Sequence, residues 1–191
     1  MEIVRIDRIA LDFGMPMGPI ELIDEIGIDV GYKVAKILED AYGPRMKAAS
    51  ILAKAKEKGL LGKKKGAGFY MHKPKGKSPN PDIYRLIAKN PAKEIRDEQA
   101  LKRMIYVMIN EASRCLEEGV ADRPATIDIG MIMGTGFPPF RAGLLRYADS
   151  VGINNIIKDL KSFEGERFRP CAYLIKLQET QKGFYSSTVP F

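Results

Sequence analysis

Three observations predict an all-α fold built from two copies of one helical module. Apolar residues recur at three- and four-residue intervals along most of the chain. Glycine and proline break those runs at short spacing, and the pattern of breaks returns about 120 residues later. Ile6-Asp7, Gly14 and Pro16 recur as Ile127-Asp128, Gly136 and Pro138, and Asp24-Glu25-Ile26-Gly27 recurs as Asp149-Ser150-Val151-Gly152. The echo runs on through Gly43, Arg45-Met46 and Leu52 to Gly165, Arg167-Phe168 and Leu174. It closes with Gly68-Phe69-Tyr70 against Gly183-Phe184-Tyr185. No run of alternating β-branched residues is long enough to build a sheet, so strand content near zero is expected.

The elements follow in order. Ile3, Ile6, Ile9, Ala10 and Phe13 make residues 2–13 an amphipathic helix that Gly14 and Pro16 end. Gly18-Pro19 opens a short helix, with Pro19 in the first turn where its missing N–H costs nothing, and Leu22, Ile23 and Ile26 as its buried face. Asp29 is placed to cap the next helix, whose stripe is Val30, Val34, Ile37, Leu38 and Ala41, ended by Gly43. Residues 45–58 read as a lysine-rich helix stopped by Gly59. Gly62 to Gly68 reads as a loop, and the prolines and glycine of 74–81 mark the boundary between modules. The first copy thus spans 1–80, ending in a basic linker, and the second 81–191. Asp97 to Glu118 forms the central packing helix, through Leu101, Met104, Ile105, Met108, Ala112, Cys115 and Leu116. After it, Thr126 or Asp128 opens a helical turn that Gly134 to Pro139 breaks. Helices from Leu144 to Ala148, Asn154 to Leu160 and Arg167 to Thr180 repeat those of the first copy.

At 191 residues and 45% hydrophobic, the chain is long enough and apolar enough to bury a core. No apolar run reaches the roughly 18 residues that cross a bilayer, and the first residues do not form a signal peptide, so a cytoplasmic protein is expected. Cys115 and Cys171 sit in apolar periodic segments without metal-ligand spacing and are expected to be buried thiols. His72, the one histidine, lies in a lysine- and proline-rich stretch, is expected to be exposed, and has no second ligand type around it for zinc or iron. Much of the net charge of +7 comes from Lys63, Lys64, Lys65, Lys73, Lys75 and Lys77, in a stretch free of acidic residues. With no aromatic residues interleaved, these read as a solvated linker and not as a nucleic-acid surface.

The sequence is poor in the motifs of chemistry. Gly134-x-Gly136 is followed by Phe137 and two prolines where a dinucleotide loop needs further N–H groups. Gly62-x-x-x-Gly66-x-Gly68 follows a helix and lacks the Gly-Lys-Ser/Thr ending of a phosphate loop. No serine sits in an elbow beside a base, so no catalytic residue is assigned. Asp24, repeated at Asp149, reads as a local cap or pair, and Asn110-Glu111 as a bond to a neighbouring helix or loop. One corner stands out: in Met15-Pro16-Met17-Gly18-Pro19, proline and glycine fix a turn while methionine presents apolar surface. Such a corner lines a channel for an acyl chain or plugs an interhelical gap, and Pro16, Met17, Gly18 and Pro19 are the substrate-binding candidates.

Ile6-Asp7-Arg8, Phe13 through Pro19, Leu22-Ile23-Asp24 and Gly66-Ala67-Gly68-Phe69-Tyr70 resemble the C-terminal domain of 3-hydroxyacyl-CoA dehydrogenases. Arg103, Asn110-Glu111-Ala112, Cys115 through Gly119, Ala125 through Asp128, Gly136-Phe137-Pro138, Phe140-Arg141, Gly143 and Leu145-Arg146-Tyr147 resemble its second copy in multifunctional fatty-acid oxidation enzymes. The resemblance implies a duplicated helical substrate domain whose first copy lacks its initial long helix. It also implies a partner domain or subunit that binds NAD and carries a catalytic His-Glu pair, an acyl-CoA substrate, and self-association among the assembly options. The family's helical domain offers an asparagine from an Asn-Arg start of its long helix, but here Lys102 precedes Arg103. The chain alone is therefore expected to bind no cofactor and to be inactive. The alternative is a stand-alone acyl-CoA-binding or protein-interaction scaffold.

Overall fold

The structure, a computed structural model, describes residues 1–87 and 95–185. These residues form ten α-helices and one two-stranded antiparallel hairpin, grouped in two compact units. The all-α expectation holds for the fold, with the hairpin as its exception.

The first unit comprises Met1–Asp12 and Met17–Arg96. It holds α1 (Ile3–Phe13, whose last residue groups with the second unit), α2 (Pro19–Ile26), α3 (Ile28–Tyr42), α4 (Ser50–Glu57), the strands β1 (Tyr70–Lys73) and β2 (Gly76–Pro79), and α5 (Pro81–Leu86). Its core is Ile3, Ile28, Ala55, Phe69, Tyr70 and Ile83, with Ile20, Ile23, Ile51 and Leu52 packed against it. The hairpin pairs Tyr70 with Pro79 and His72 with Lys77. Buried Asn80 then starts α5: its Oδ1 accepts from the Asp82 N–H at 3.0 Å while its Nδ2 donates to the Gly68 carbonyl at 2.8 Å.

The second unit comprises Phe13–Pro16 with the described residues from Asp97 onward. It holds α6 (Asp97–Glu117), α7 (Pro124–Thr135), α8 (Leu144–Val151), α9 (Ile153–Ser162) and α10 (Ala172–Glu179). Ile105, Tyr106, Ile109 and Ala112 of α6 share one core with Phe137, Leu145, Ala148, Ile156, Ile157, Leu160 and Leu174. Asn110, wholly buried in that helix, donates to the carbonyls of Arg167 (3.1 Å) and Arg169 (2.8 Å) and accepts from the Cys171 N–H (3.0 Å).

Several local expectations are corrected. Residues 70–79, read as loop and linker, form the hairpin, which Tyr70 anchors in the core in place of any β-branched run. His72 is not exposed: it sits on β1 with its Nε2 2.9 Å from Asp24 Oδ2. Asp29 lies inside the first turn of α3, where Gly27 is the capping residue, and pairs instead with Lys64 at 2.5 Å. Asp128 and Thr126 lie within α7, which Pro124 opens. The helices expected from residues 45 and 167 start later, at Ser50 and Ala172, after 3-10 turns over Gly43–Met46 and Glu166–Phe168. Most consequentially, the apolar faces assigned to the second and third helices are not buried: Leu22, Ile26, Val30, Val34, Ile37, Leu38 and Ala41 are exposed.

Candidate functional site

Each unit carries the same construction of aspartate, glycine and tyrosine. In the first, Asp7 accepts from the N–H groups of Ile20 (2.8 Å) and Glu21 (3.0 Å) and from the Tyr70 hydroxyl (2.6 Å). Two of the donors that the start of α2 leaves without intrahelical partners are thereby satisfied by a buried carboxylate. Asp24, fully buried, accepts from the N–H groups of Phe69 and Tyr70, both at 2.8 Å. Tyr70 therefore bridges the two aspartates, one through its backbone and one through its ring.

The second unit repeats this atom for atom. Asp128 accepts from Leu145 N–H (2.7 Å), Arg146 N–H (3.1 Å) and the Tyr185 hydroxyl (2.6 Å), and Asp149 from Phe184 N–H (2.8 Å) and Tyr185 N–H (3.0 Å). The echoed glycines are the close-approach points. A Cβ on Gly18 or Gly143 would lie 2.2 or 2.4 Å from the Cβ of Asp7 or Asp128, and one on Gly68 or Gly183 would lie 2.2 or 2.5 Å from Oδ1 of Asp24 or Asp149. A cation faces each bridging ring, Lys77 at 4.8 Å from the Tyr70 centroid and Arg146 at 3.5 Å from that of Tyr185. Burial, aided by the hydrogen bond to the aspartate, raises the phenol pKa of both Tyr70 and Tyr185 well above the ordinary tyrosine value.

Each of these carboxylates accepts two backbone N–H groups and so holds a turn in place, and Asp24 also faces the His72 Nε2 at 2.9 Å. Asp24 does not act locally as its pattern suggested: its partners Phe69, Tyr70 and His72 lie 45, 46 and 48 residues along the chain. The bridging role of the two tyrosines was missed, although the repeated Gly-Phe-Tyr triplets signalled it.

The four substrate-binding candidates lie at the start of α2. Gly18 is buried against Asp7, Pro19 opens α2 and is exposed, Met17 is half-buried, and Pro16 is exposed and packs where a Cβ on Gly136 would stand, 2.7 Å from its Cγ. Pro16 groups with the second unit and the other three with the first. Within the second unit, Phe13 stands edge-on to Phe137 (5.7 Å) and Tyr147 (5.2 Å). The Arg141 guanidinium lies 4.0 Å over the Phe13 ring and donates to the Phe13 carbonyl at 3.1 Å.

Three of the six lysines of the basic stretch are paired with carboxylates of the first unit. Lys63 binds Glu25 at 2.8 Å, Lys64 binds Asp29 and Lys77 binds Glu21. The glycine loop does not suit a dinucleotide. The N–H groups of Gly62, Lys65, Gly66 and Gly68 bond to carbonyls, those of Phe69 and Tyr70 bond to Asp24, and that carboxylate would repel a pyrophosphate. Gly136 ends α7 in a left-handed turn beneath Pro16. Neither glycine-rich turn is thus built as a dinucleotide loop. Among the described residues no cluster of three or more His, Cys, Asp or Glu could hold a metal ion, and no helix is long and apolar enough to cross a membrane.

A family model, the 3-hydroxyacyl-CoA dehydrogenase C-terminal domain, matches residues 1–72 and again 100–186. The fatty acid oxidation complex subunit alpha of Vibrio vulnificus is 38% identical over 186 residues, covering 96% of this chain and 26% of the relative. That of Shewanella loihica is 40% identical over 186 residues, covering 95% and 26%. The chain thus spans about a quarter of the length of these curated relatives. Among solved structures, 3-hydroxybutyryl-CoA dehydrogenase from Escherichia coli superposes with a TM-score of 0.74 at 22% identity, covering 95% of this chain and 56% of that one, a likeness of fold. The dehydrogenase part of multifunctional enzyme 1 from Caenorhabditis elegans gives 0.66 at 27% identity, covering 90% and 41%.

Proposed function

Because the chain belongs to the 3-hydroxyacyl-CoA dehydrogenase C-terminal domain family, we propose that it is the substrate-domain portion of an NAD-dependent 3-hydroxyacyl-CoA dehydrogenase of fatty-acid β-oxidation. It shapes the acyl-CoA cleft and offers an assembly surface, while the redox chemistry takes place on an NAD-binding domain or subunit. The family match over both copies carries this reading. The backbone-bonded aspartates support it, since they fix the geometry of both units, a positioning role. Pro16, Met17, Gly18 and Pro19 are assigned to the cleft. Asp7 holds the first turn of α2 and so makes the corner rigid, and Met17 supplies adaptable apolar surface beside it.

The test is NAD-dependent oxidation of a 3-hydroxyacyl-CoA by the chain alone, by a separately produced NAD-binding domain alone, and by the two mixed. Activity is expected in the mixture only, and Met17→Asp is expected to lower its kcat/KM at least tenfold with unchanged helical content. A robust rate from the chain alone refutes the division of labour. No rate from a mixture of folded and mutually bound pieces replaces it with the scaffold reading, and full activity of Met17→Asp removes Met17 from the cleft.

A further inference from the structure

The shared construction of aspartate and glycine is closed over in one unit and open in the other. After α4 the Gly59 N–H bonds the Lys56 carbonyl and the Leu60 N–H bonds that of Ala55. After α10 the N–H groups of Gln181 and Lys182 bond Gln178 and Leu177 in the same way. The next matched residues are Gly68 and Gly183, so residues 61–67 have no counterpart. That stretch lies over the turn between α2 and α3. The Leu61 carbonyl accepts the Ile28 N–H at 3.3 Å, and Lys63 and Lys64 pair with Glu25 and Asp29. Gly62 packs so closely that a Cβ on it would stand 2.4 Å from the Asp24 carbonyl oxygen. Asp24, Gly27 and Gly68 are buried beneath this cover.

The second unit keeps the turn and lacks the cover. The counterparts Asp149, Gly152 and Gly183 are partly exposed, and with Asn154, Asn155, Gln178 and Gln181 they line a cleft of about 570 Å³. Its chemistry differs from that of the covered turn. Ser150 and Asn154 stand where the first unit has Glu25 and Asp29, so the carboxylates that hold lysines there are absent. Four side-chain amides line the cleft instead, and an amide offers both a donor and an acceptor, the complement of a peptide group. Gln178 Nε2 donates to Asn154 Oδ1 at 3.0 Å, and Asn155 Nδ2 donates to the Val151 carbonyl at 2.8 Å. The remaining amide atoms of these residues, and both of Gln181, take no partner among the described residues. Gln181 has a left-handed φ of +53°, a setting that the first unit fills with Gly59 at +71°, so a strained backbone holds this amide at the cleft.

We infer that the cleft is a docking seat for a loop of a partner protein. The loop is free of lysine where it meets Ser150 and Asn154, carries a glycine that lets its backbone approach Asp149, and turns a backbone carbonyl toward the start of α9. Polypeptide already fills the equivalent place in the first unit, and the amides supply the means of holding it in the second. Neither observation depends on the function proposed above.

The probes are two peptides, residues 60–67 of this chain and the same segment with Lys63→Ser and Lys64→Ser, titrated into the isotope-labelled full chain and followed by NMR. The neutral peptide is expected to bind in the millimolar range, to shift the amide signals of Ile153, Asn154, Gln178 and Gln181, and to bind better than the lysine peptide. Gln181→Gly installs the residue that the first unit carries there and is expected to weaken binding about threefold or more. Asn154→Asp restores the acid of the first unit and reverses the preference toward the lysine peptide. Ile129→Asp, which adds the same charge at an exposed position of α7, leaves the preference as it was. No shift at these amides, binding indifferent to Gln181→Gly, or an unchanged preference in Asn154→Asp overturns the inference. Concentration-dependent shifts at the same amides without peptide also overturn it, because a second copy would then be the occupant. So does peptide binding that requires removal of the residues beyond Tyr185, which would make the chain's own end the occupant.

Discussion

At the scale of single residues, the repeated glycines are explained by the aspartates they touch. Gly68 has no room for a side chain: a Cβ would stand 2.2 Å from Asp24 Oδ1, held by the bonds from Phe69 and Tyr70, and 2.5 Å from the Gly62 Cα, held by the Gly62 N–H bond to the Ala67 carbonyl. Gly59 differs, with a left-handed φ of +71° and nothing within 4 Å of its Cβ position. Gly68→Ala is therefore expected to cost about 3 kcal/mol, combining overpacking with weakened bonds to a buried carboxylate. Gly59→Ala is expected to cost only the conformational penalty of about 1 kcal/mol. Gly68 carries no left-handed φ, so its loss reports the contact with Asp24 alone, and urea unfolding that finds Gly68→Ala no more costly than Gly59→Ala would show that this contact relaxes without the expected cost.

At the scale of elements, α6 ties itself to the segment before α10 through the buried Asn110. Asn110 makes three bonds to the segment that leads into α10, so Asn110→Ala takes the acceptor from the buried Cys171 N–H and a donor from each of two carbonyls, of which that of Arg169 keeps the Arg114 guanidinium. A loss of about 3 kcal/mol is expected in chemical denaturation, with the loosening seen by hydrogen exchange at the start of α10. A neutral variant would mean that water replaces the amide. This helix was legible from sequence because apolar residues spaced three and four apart run from Leu101 to Leu116 within its 21 residues. The hairpin was not legible, because lysine and glycine fill it and its stability comes from Tyr70, whose partner Asp7 lies 63 residues away. The Gly-Phe-Tyr and aspartate echoes could be read as repeats, yet periodicity holds no record of which echo touches which. The stripe of α3 shows a related limit: spacing reveals that a face is apolar and says nothing of what lies over it.

At the scale of the whole molecule, both units depend on phenols kept neutral in their interiors. Burial pushes Tyr106 up to about 12, and burial with a hydrogen bond to an aspartate raises Tyr70 and Tyr185 further still. In the unfolded chain each titrates near 10. Below that value both states hold the proton, and the stabilisation is fully present. Between about 10 and each folded pKa only the unfolded chain ionises, so stability falls as pH rises, by up to about 1.4 kcal/mol per pH unit for each phenol. Because Tyr70 belongs to the first unit and Tyr106 and Tyr185 to the second, neither unit escapes. Denaturation followed from pH 8 to 12 is therefore expected to show a plateau and then a steep alkaline decline. Tyr106→Phe keeps the ring and removes one titration, and it is expected to flatten the decline by one proton's worth between about pH 10 and 12. Superimposable curves for wild type and Tyr106→Phe would show that the fold exerts no hold on that proton and that the alkaline loss comes from elsewhere.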